Sequence, residues 1–192
     1  DAQNGPPNFL FRNNRDGTFA DVTSRSGLNQ NNNRYSFDCH WADYDNDGWP
    51  DLYVVNDFGR KNLYHNNGDG TFTDVAEEAG VLDIGPGMSA CWFDYDNDGQ
   101  LDIFMAGEPN EAGGRGLFLF HNNGIESFTD VSRLLPEEVK AARQVALFDY
   151  NDDGDLDIIL AGVNGGITLL RNDGGSNNHF IRMKLVGLRA GS

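Results

Sequence analysis

Short apolar runs separated by turn-forming residues divide the chain into segments of strand length. Continuous runs such as residues 52–55 and 156–160 are typical of buried strands. Other apolar runs, such as residues 63–65, lead into Asn/Gly-rich turns that are typical of β-hairpins. Residues 134–140 are compatible with a turn or two of helix. The pattern as a whole predicts an all-β protein.

The hairpin pattern recurs along the chain. Its copies lie at residues 8–22, 62–75 and 117–131, with a degenerate fourth copy at 169–174. Before each of the last three copies runs a predicted inner strand, at residues 36–42, 88–93 and 144–148. A period of 51–56 residues with four short strands per unit indicates the blades of a β-propeller. A sandwich could use such repeats too, whereas the long period disfavours a β-helix.

Three acidic loops follow the inner strands and carry the candidate chemistry. Each loop has Asp or Asn at positions 1, 3, 5 and 9, and Gly at position 6, where the chain must reverse sharply. Calcium takes about six to eight oxygen ligands, which such a loop can direct inward. We therefore predict three calcium sites, with position 7 contributing a backbone carbonyl. The predicted ligands are Asp43, Asp45, Asp47, Trp49 and Asp51; Asp94, Asp96, Asp98, Gln100 and Asp102; and Asp149, Asn151, Asp153, Asp155 and Asp157.

Position 12 of these loops distinguishes them from EF-hands. An EF-hand requires a bidentate Glu at position 12 and flanking helices. Here position 12 is Val54, Met105 or Leu160, and each lies in a predicted strand. The sequence therefore argues against EF-hand and dockerin-type loops. An acidic surface turn without metal would explain one copy better than three.

The charge of the chain is concentrated in these loops. The formal net charge is −16, from 30 acidic and 14 basic residues, and eleven of the acids are Asp residues at loop positions 1, 3, 5 and 9. There is no Lys/Arg cluster, which argues against a nucleic-acid partner. No run of 18 apolar residues occurs, so no membrane span is predicted.

Aligned aromatic, sulfur and histidine positions give further expectations. Trp41 and Trp92 align between repeats and are expected in the blade core. The ring of Trp49 is expected either to pack on the adjacent blade or to face solvent, where it could stack on a sugar or a partner. We expect the chain's two cysteines to be separate buried thiols, since their registers differ by one residue. One repeat position holds His65, His121, Arg12 and Arg171, and we expect its role to be structural. His40 is expected to be a packed residue.

The loop motif, together with Leu-Tyr-x-Asn-Asn-Gly-Asp-Gly-Thr-Phe-x-Asp-Val, resembles the FG-GAP/VCBS repeats, whose calcium-binding blades also occur in integrin α-subunits. The similarity is greatest to the cartilage acidic protein family and its ASPIC/UnbV-type relatives. It implies the side-chain metal ligands predicted above and a secreted, extracellular or periplasmic location. It also implies a module for structure, adhesion or recognition. We expect a non-enzymatic scaffold, adhesion or assembly module with a protein or glycan ligand. The alternative is a carbohydrate-binding or propeller part of a larger carbohydrate-active enzyme.

The repeats predict the following organisation. Residues 1–34 contain half of a first blade, residues 35–87, 88–142 and 143–177 contain blades with one calcium loop each, and residues 178–192 resemble the start of an ASPIC/UnbV-type domain. The strand count falls short of the roughly four blades of the smallest propellers. We therefore expect a partial propeller with open edges, through which copies of the chain could associate. We also expect the three loops to bind calcium independently.

Overall fold

The computed structural model describes residues 5–83, 85–109, 114–124 and 126–174. Its regular structure is almost wholly β. The first sheet contains β1 (Phe11–Asn13) and β2 (Phe19–Asp21). The second contains β3 (Ser36–Ala42), β4 (Asp51–Asn56), β5 (Asn62–Asn66) and β6 (Phe72–Asp74). The third contains β7 (Gly87–Phe93), β8 (Asp102–Gly107), β9 (Leu117–Asn122) and β10 (Phe128–Asp130), and the fourth contains β11 (Gln144–Phe148), β12 (Asp157–Ala161) and β13 (Ile167–Leu170).

Within each sheet the strands pair antiparallel in chain order, and the described strands do not close into a ring. The prediction of an all-β partial propeller of antiparallel repeats is therefore confirmed. Residues 135–140 are not helical, although the sequence is compatible with a turn or two of helix there. A single 3₁₀ turn lies at Ser132–Leu134, and Leu135 is extended (φ −77°, ψ 143°), as the proline that follows it requires. The strand expected at 178–187 lies outside the described residues.

The central strands β4 and β8 explain the continuous apolar runs, because both of their faces are covered. All six residues of each strand are buried. On β8, Ile103 and Met105 pack toward the second sheet, whereas Phe104 and Ala106 pack toward the fourth. Alternate side chains of one strand thus belong to two different cores. This arrangement stacks the sheets face to face, with β3 against β7 and β7 against β11.

The segments between sheets repeat their geometry as well as their sequence. The amide of Phe72 donates to the carbonyl of Ser26 at 2.8 Å, and that of Phe128 donates to Ala79 at 2.8 Å. Each connection therefore lies along the outer strand of the sheet that it leads into. Beside these contacts Gly80 has φ +79°, and a Cβ there would lie 3.1 Å from the Phe128 oxygen. Glycine is required there both by the backbone angle and by the close approach.

Two expectations about buried residues are wrong. Trp92 packs against the core between the second and third sheets, but the equivalent Trp41 is 47% exposed. Cys39 is exposed and Cys91 is half-buried, and both are free thiols. The cause is the same for Trp41 and Cys39. They lie on the side of the second sheet that faces the two-stranded first sheet, which has no described inner strands to cover them.

Candidate metal centres

Each acidic loop connects the first and second strands of its sheet and reverses at two left-handed residues. Gly48, Gly99 and Gly154 at position 6 have φ between 91° and 95°. Position 4 is also left-handed, with φ of 60° at Asn46 and 55° at Asn97. Asn and Asp tolerate this conformation better than other residues with a Cβ. The third loop follows the rule with Asp152 at φ 62°.

The position-1 and position-5 carboxylates hold the loop closed on itself. Asp43 accepts from the amides of Asp47 (3.0 Å) and Gly48 (3.0 Å), and the second loop repeats both contacts. Asp47 Oδ1 accepts from the amide of Trp49 at 2.7 Å. Carboxylate oxygens have further lone pairs after accepting one hydrogen bond each. These acids are therefore organised by the backbone and still have capacity for a cation.

The position-9 carboxylates are the most buried part of the centres. Asp51, Asp102 and Asp157 have 0% relative exposure. Both oxygens of Asp102 accept backbone amides, from Tyr95 at 2.9 Å and Asn122 at 2.8 Å. Burial nevertheless raises the pKa of Asp51 and of Asp102 to about 6, with the hydrogen bonds opposing the rise. A divalent cation beside these carboxylates would favour their charged form.

The first two loops bring three acids together, as the sequence predicts. Single oxygens of Asp43, Asp45 and Asp47 lie within 4.8 Å of one another, and so do those of Asp94, Asp96 and Asp98. This donor set fits a hard oxygen-preferring ion.

The third loop differs because its position 3 is an amide. Asn151 Nδ2 donates to Asp153 Oδ2 at 2.6 Å, which engages an oxygen that a cation would use. The position-1 carboxylate of this loop, Asp149, accepts from the amide of Gly154 at 3.1 Å. We therefore expect the third loop to bind a cation more weakly than the other two.

Position 7 has a role that the sequence did not indicate. The side chain of Gln100 accepts from Asn46 Nδ2 at 3.1 Å, and Asp155 Oδ1 accepts from Asn97 Nδ2 at 2.7 Å. Position 4 of one loop is thus bonded to position 7 of the next. Trp49, at position 7 of the first loop, is 50% exposed, and its indole lies against Gly68 in the turn between β5 and β6 of its own sheet.

His65 and His121 are part of the centres, a role that sequence reasoning missed. His65 Nδ1 lies 3.1 Å from Asp45 Oδ2 and 3.4 Å from Asp51 Oδ1. His121 Nδ1 lies 3.6 Å from Asp96 Oδ2 and 3.3 Å from Asp102 Oδ1. Their shared repeat position on β5 and β9 could have indicated this role. Those strands pair with β4 and β8, which begin at the position-9 acids.

The repeats match a known family model, the FG-GAP-like repeat, at residues 2–54, 43–105 and 94–160. The chain belongs to this family. The second and third matches each span from one acidic loop to the strand after the next loop, and the first runs from residue 2 to the strand after the first loop. Membership of the family therefore accounts for the repeated loops and strands.

The chain is also similar to three curated vertebrate proteins. It is 29% identical to cartilage acidic protein 1 of Homo sapiens and 28% identical to that of Mus musculus, over 95% of this chain in each case. It is 33% identical to cartilage acidic protein 1 of Xenopus tropicalis over 55% of the chain. The matched region spans 29% of the length of the human relative. Among the described residues, no helix is long and apolar enough to cross a membrane.

Proposed function

We propose that this chain is a calcium-stabilised, non-catalytic propeller segment that serves as an extracellular structural, adhesion or assembly module. The observation that carries the proposal is the repetition of one loop geometry at three places. Position 1 accepts the amide of the position-6 Gly at Gly48, Gly99 and Gly154, with distances of 3.0, 2.9 and 3.1 Å. A surface turn that binds no ligand does not need oxygen-bearing side chains at the same four positions in all three copies.

Calcium bound in these loops would neutralise their clustered charge. Two carboxylates about 4 Å apart repel by roughly 4 kcal/mol at an effective dielectric near 20. The side chains at positions 1, 3, 5 and 9 would be the ligands in each loop, with the position-7 carbonyl. Since a cation that binds only the folded state stabilises it, about 2.7 kcal/mol is added per site at 100 times the dissociation constant.

The stabilisation is tested by thermal unfolding in calcium and in excess chelator. We expect the melting temperature to fall in chelator and to recover with calcium more than with magnesium, whose smaller octahedral shell fits the loop poorly. Calorimetric titration should find three sites in the wild type and about two in Asp98→Ala. The matched control is Asp69→Ala, which removes an exposed acid of the β5–β6 hairpin turn that lies outside the loops. An unchanged melting temperature in chelator would contradict the proposal.

The assembly role is supported by an open apolar groove on the second sheet. It has a volume of about 420 Å³ and is lined by Phe9, Leu10, Leu28, Phe37 and Trp41, among others. Phe9 and Phe37 are 60% and 56% exposed. Large exposed apolar surfaces mark interfaces. Further repeats of the same kind or a second copy of the chain would cover this face, and light scattering across a concentration series distinguishes the two.

Glycan binding is the second candidate, and the half-exposed ring of Trp49 supports it. A planar aromatic surface beside polar loop residues suits the apolar face of a sugar. A glycan array with the wild type and Trp49→Ala tests it directly. Binding that is lost in the variant would favour a glycan-binding module. Release of sugar from a bound oligosaccharide would favour the carbohydrate-active enzyme instead.

A further inference from the structure

The two loop histidines place a nitrogen ligand where calcium does not need one. The Nδ1 atoms of His65 and His121 are inaccessible to solvent and make no hydrogen bond of acceptable geometry among the described residues. Each nevertheless points at two carboxylates. One ligand atom from each of Asp45, Asp51 and His65 lies within 4.8 Å of the others, and the second loop has the same set in Asp96, Asp102 and His121.

The spacing of these atoms suits a small transition-metal ion. Tetrahedral zinc binds nitrogen and oxygen at about 2.0–2.2 Å, which places neighbouring ligand atoms roughly 3.3–3.6 Å apart. The nitrogen-to-oxygen distances are 3.1 and 3.4 Å at His65 and 3.6 and 3.3 Å at His121. Imidazole is a preferred ligand of zinc, whereas calcium and magnesium prefer oxygen alone. A set of one imidazole and two carboxylates, with a fourth position for water, matches zinc chemistry.

The same repeat position in the fourth sheet provides an internal comparison. It is occupied by Arg171, whose guanidinium hydrogen-bonds the exposed Asp173 at 2.8 Å. Arginine remains protonated and has no lone pair to give to a cation. Neither Arg171 nor Arg12, at this position in the first sheet, can therefore complete such a set. Only the second and third sheets combine an acidic loop with a histidine at this position.

We propose that His65 and His121 each complete a binding site for a zinc-like transition ion on the inner side of the first and second calcium loops. The inference rests on the proposed calcium function, because each site shares its position-3 and position-9 carboxylates with its loop. At the first site, Asp45 Oδ1 accepts the amide of Asp47 on the loop side at 3.2 Å, while Oδ2 faces His65. One carboxylate can thus serve both ions through different oxygens.

The test titrates zinc into the calcium-saturated protein. We expect about two zinc ions per chain, with calcium still bound in the loops. The variant His65→Asn/His121→Asn keeps a polar side chain of similar reach but removes the imidazole. Loss of an outer-shell partner alone weakens metal sites by about 10–100-fold, so loss of this ligand should weaken zinc binding by at least as much. The matched control is His40→Asn, because His40 pairs with Asp38 at 2.9 Å away from the loops.

A second readout follows the ring nitrogens directly. In long-range proton–nitrogen NMR spectra, zinc should shift the Nδ1 resonances of His65 and His121 and leave that of His40 in place. Zinc binding that is absent from the wild type, or unchanged in the double variant, would overturn the proposal. Calcium titration of the same samples separates the two ideas. Retained calcium binding without zinc binding defeats only this inference, whereas loss of calcium binding in the wild type defeats the proposed function.

Discussion

The boundary between the second and third sheets and the boundary between the first and second sheets use equivalent residues in different ways. At the former, Trp92 stacks on Tyr44 (5.9 Å between ring centres, 9° between planes) and its indole donates to the carbonyl of His40 at 3.3 Å. At the latter, Trp41 has one described aromatic neighbour, Phe72 at 5.9 Å, and stays 47% exposed. A repeat position becomes core only when the preceding unit supplies its inner strands.

The boundary between the second and third sheets also contains a buried charged side chain. Lys61 is fully buried between the second and third sheets, with Nζ 3.3 Å from Asp83 and bonded to the carbonyl of Gly85. Burial lowers the pKa of Lys61, and Asp83 opposes that shift. The complete boundary therefore contains a desolvated ion pair, which is costly to break from one side.

The largest expected effect is that of Lys61→Ala. Removal of one partner of a buried pair typically costs about 3–5 kcal/mol. Thermal and urea unfolding in saturating calcium should show a loss in this range. The control is Arg60→Ala, because Arg60 pairs with Glu77 at the surface, where such pairs contribute about 0–1 kcal/mol. Equal losses in the two variants would mean that Lys61 does not hold this boundary together.

The tryptophan pair tests the comparison at equivalent positions. Truncation of a well-packed aromatic residue costs about 3–5 kcal/mol, so Trp92→Ala should cost about 3 kcal/mol, since its ring is only partly buried. Trp41→Ala should cost about 1 kcal/mol, because half of its ring already faces water. Unfolding of both variants in the same buffer decides the matter. If a longer form of the chain covers this face with another repeat, the cost of Trp41→Ala should rise toward that of Trp92→Ala.

These boundaries show which features of the fold could be predicted from the sequence. The hairpins, inner strands and acidic loops follow from apolar periodicity and turn chemistry, and the structure contains them at or within one or two residues of the predicted positions. Periodicity shows that a strand has two apolar faces, but it does not show whether a neighbour covers each face. The exposure of Trp41 and Cys39 could therefore not be deduced from local pattern alone.

The loops show a second kind of limit. Ligand positions within one loop are set by local spacing, so they can be read from sequence. His65 lies fourteen residues beyond Asp51 and reaches the loop only because β5 pairs with β4. The Asn97–Asp155 bond joins different sheets. The Asn at position 4 indicates a left-handed turn in the sequence, but it does not identify Asp155 of the next loop as the partner of its side chain.

A pH series with Asp38→Asn examines the polar contact that links β3 to β7. Burial alone would raise the pKa of Asp38, but bonds from His40, Ser89 and the Ala90 amide lower it below 3.8 overall. A lowered pKa means that the charged form stabilises the fold above the unfolded value, and this contribution disappears as pH falls through the folded value. We expect Asp38→Asn to cost roughly 1 kcal/mol at neutral pH. The difference from wild type should shrink below about pH 4.

The difference between the two stability curves is the informative quantity for Asp38. Both proteins contain the same acidic loops, so the loss in acid of any calcium that they bind is common to both curves. Chemical unfolding at each pH supplies both curves. A difference that stayed constant from neutral pH to well below 3.8 would show that the charge of Asp38 does not contribute, and that only its shape does.

The smallest expected effect concerns coupling between loops across a complete boundary. Asn97 lies between the predicted ligands Asp96 and Asp98, and its side chain holds Asp155, whose carbonyl is a predicted ligand of the third loop. Calcium in the second loop would fix Asn97 and so help to order the third. Asn97→Gly keeps the left-handed backbone, at φ 55°, while removing the bond, and should cost only about 0.5 kcal/mol in stability.

The sharper readout is the affinity of the third loop, followed through the amide resonance of Gly154, which donates to Asp149. Asp98→Ala should weaken calcium binding at the third loop several-fold in the wild-type background and by less in the Asn97→Gly background, since coupled residues give non-additive effects. The matched comparison is Asn46→Gly, which removes the bond to Gln100 between the first and second loops and leaves the second-to-third contact intact. Equal effects of Asp98→Ala in the wild-type and Asn97→Gly backgrounds would mean that the loops bind calcium independently, as repeat architecture alone predicts.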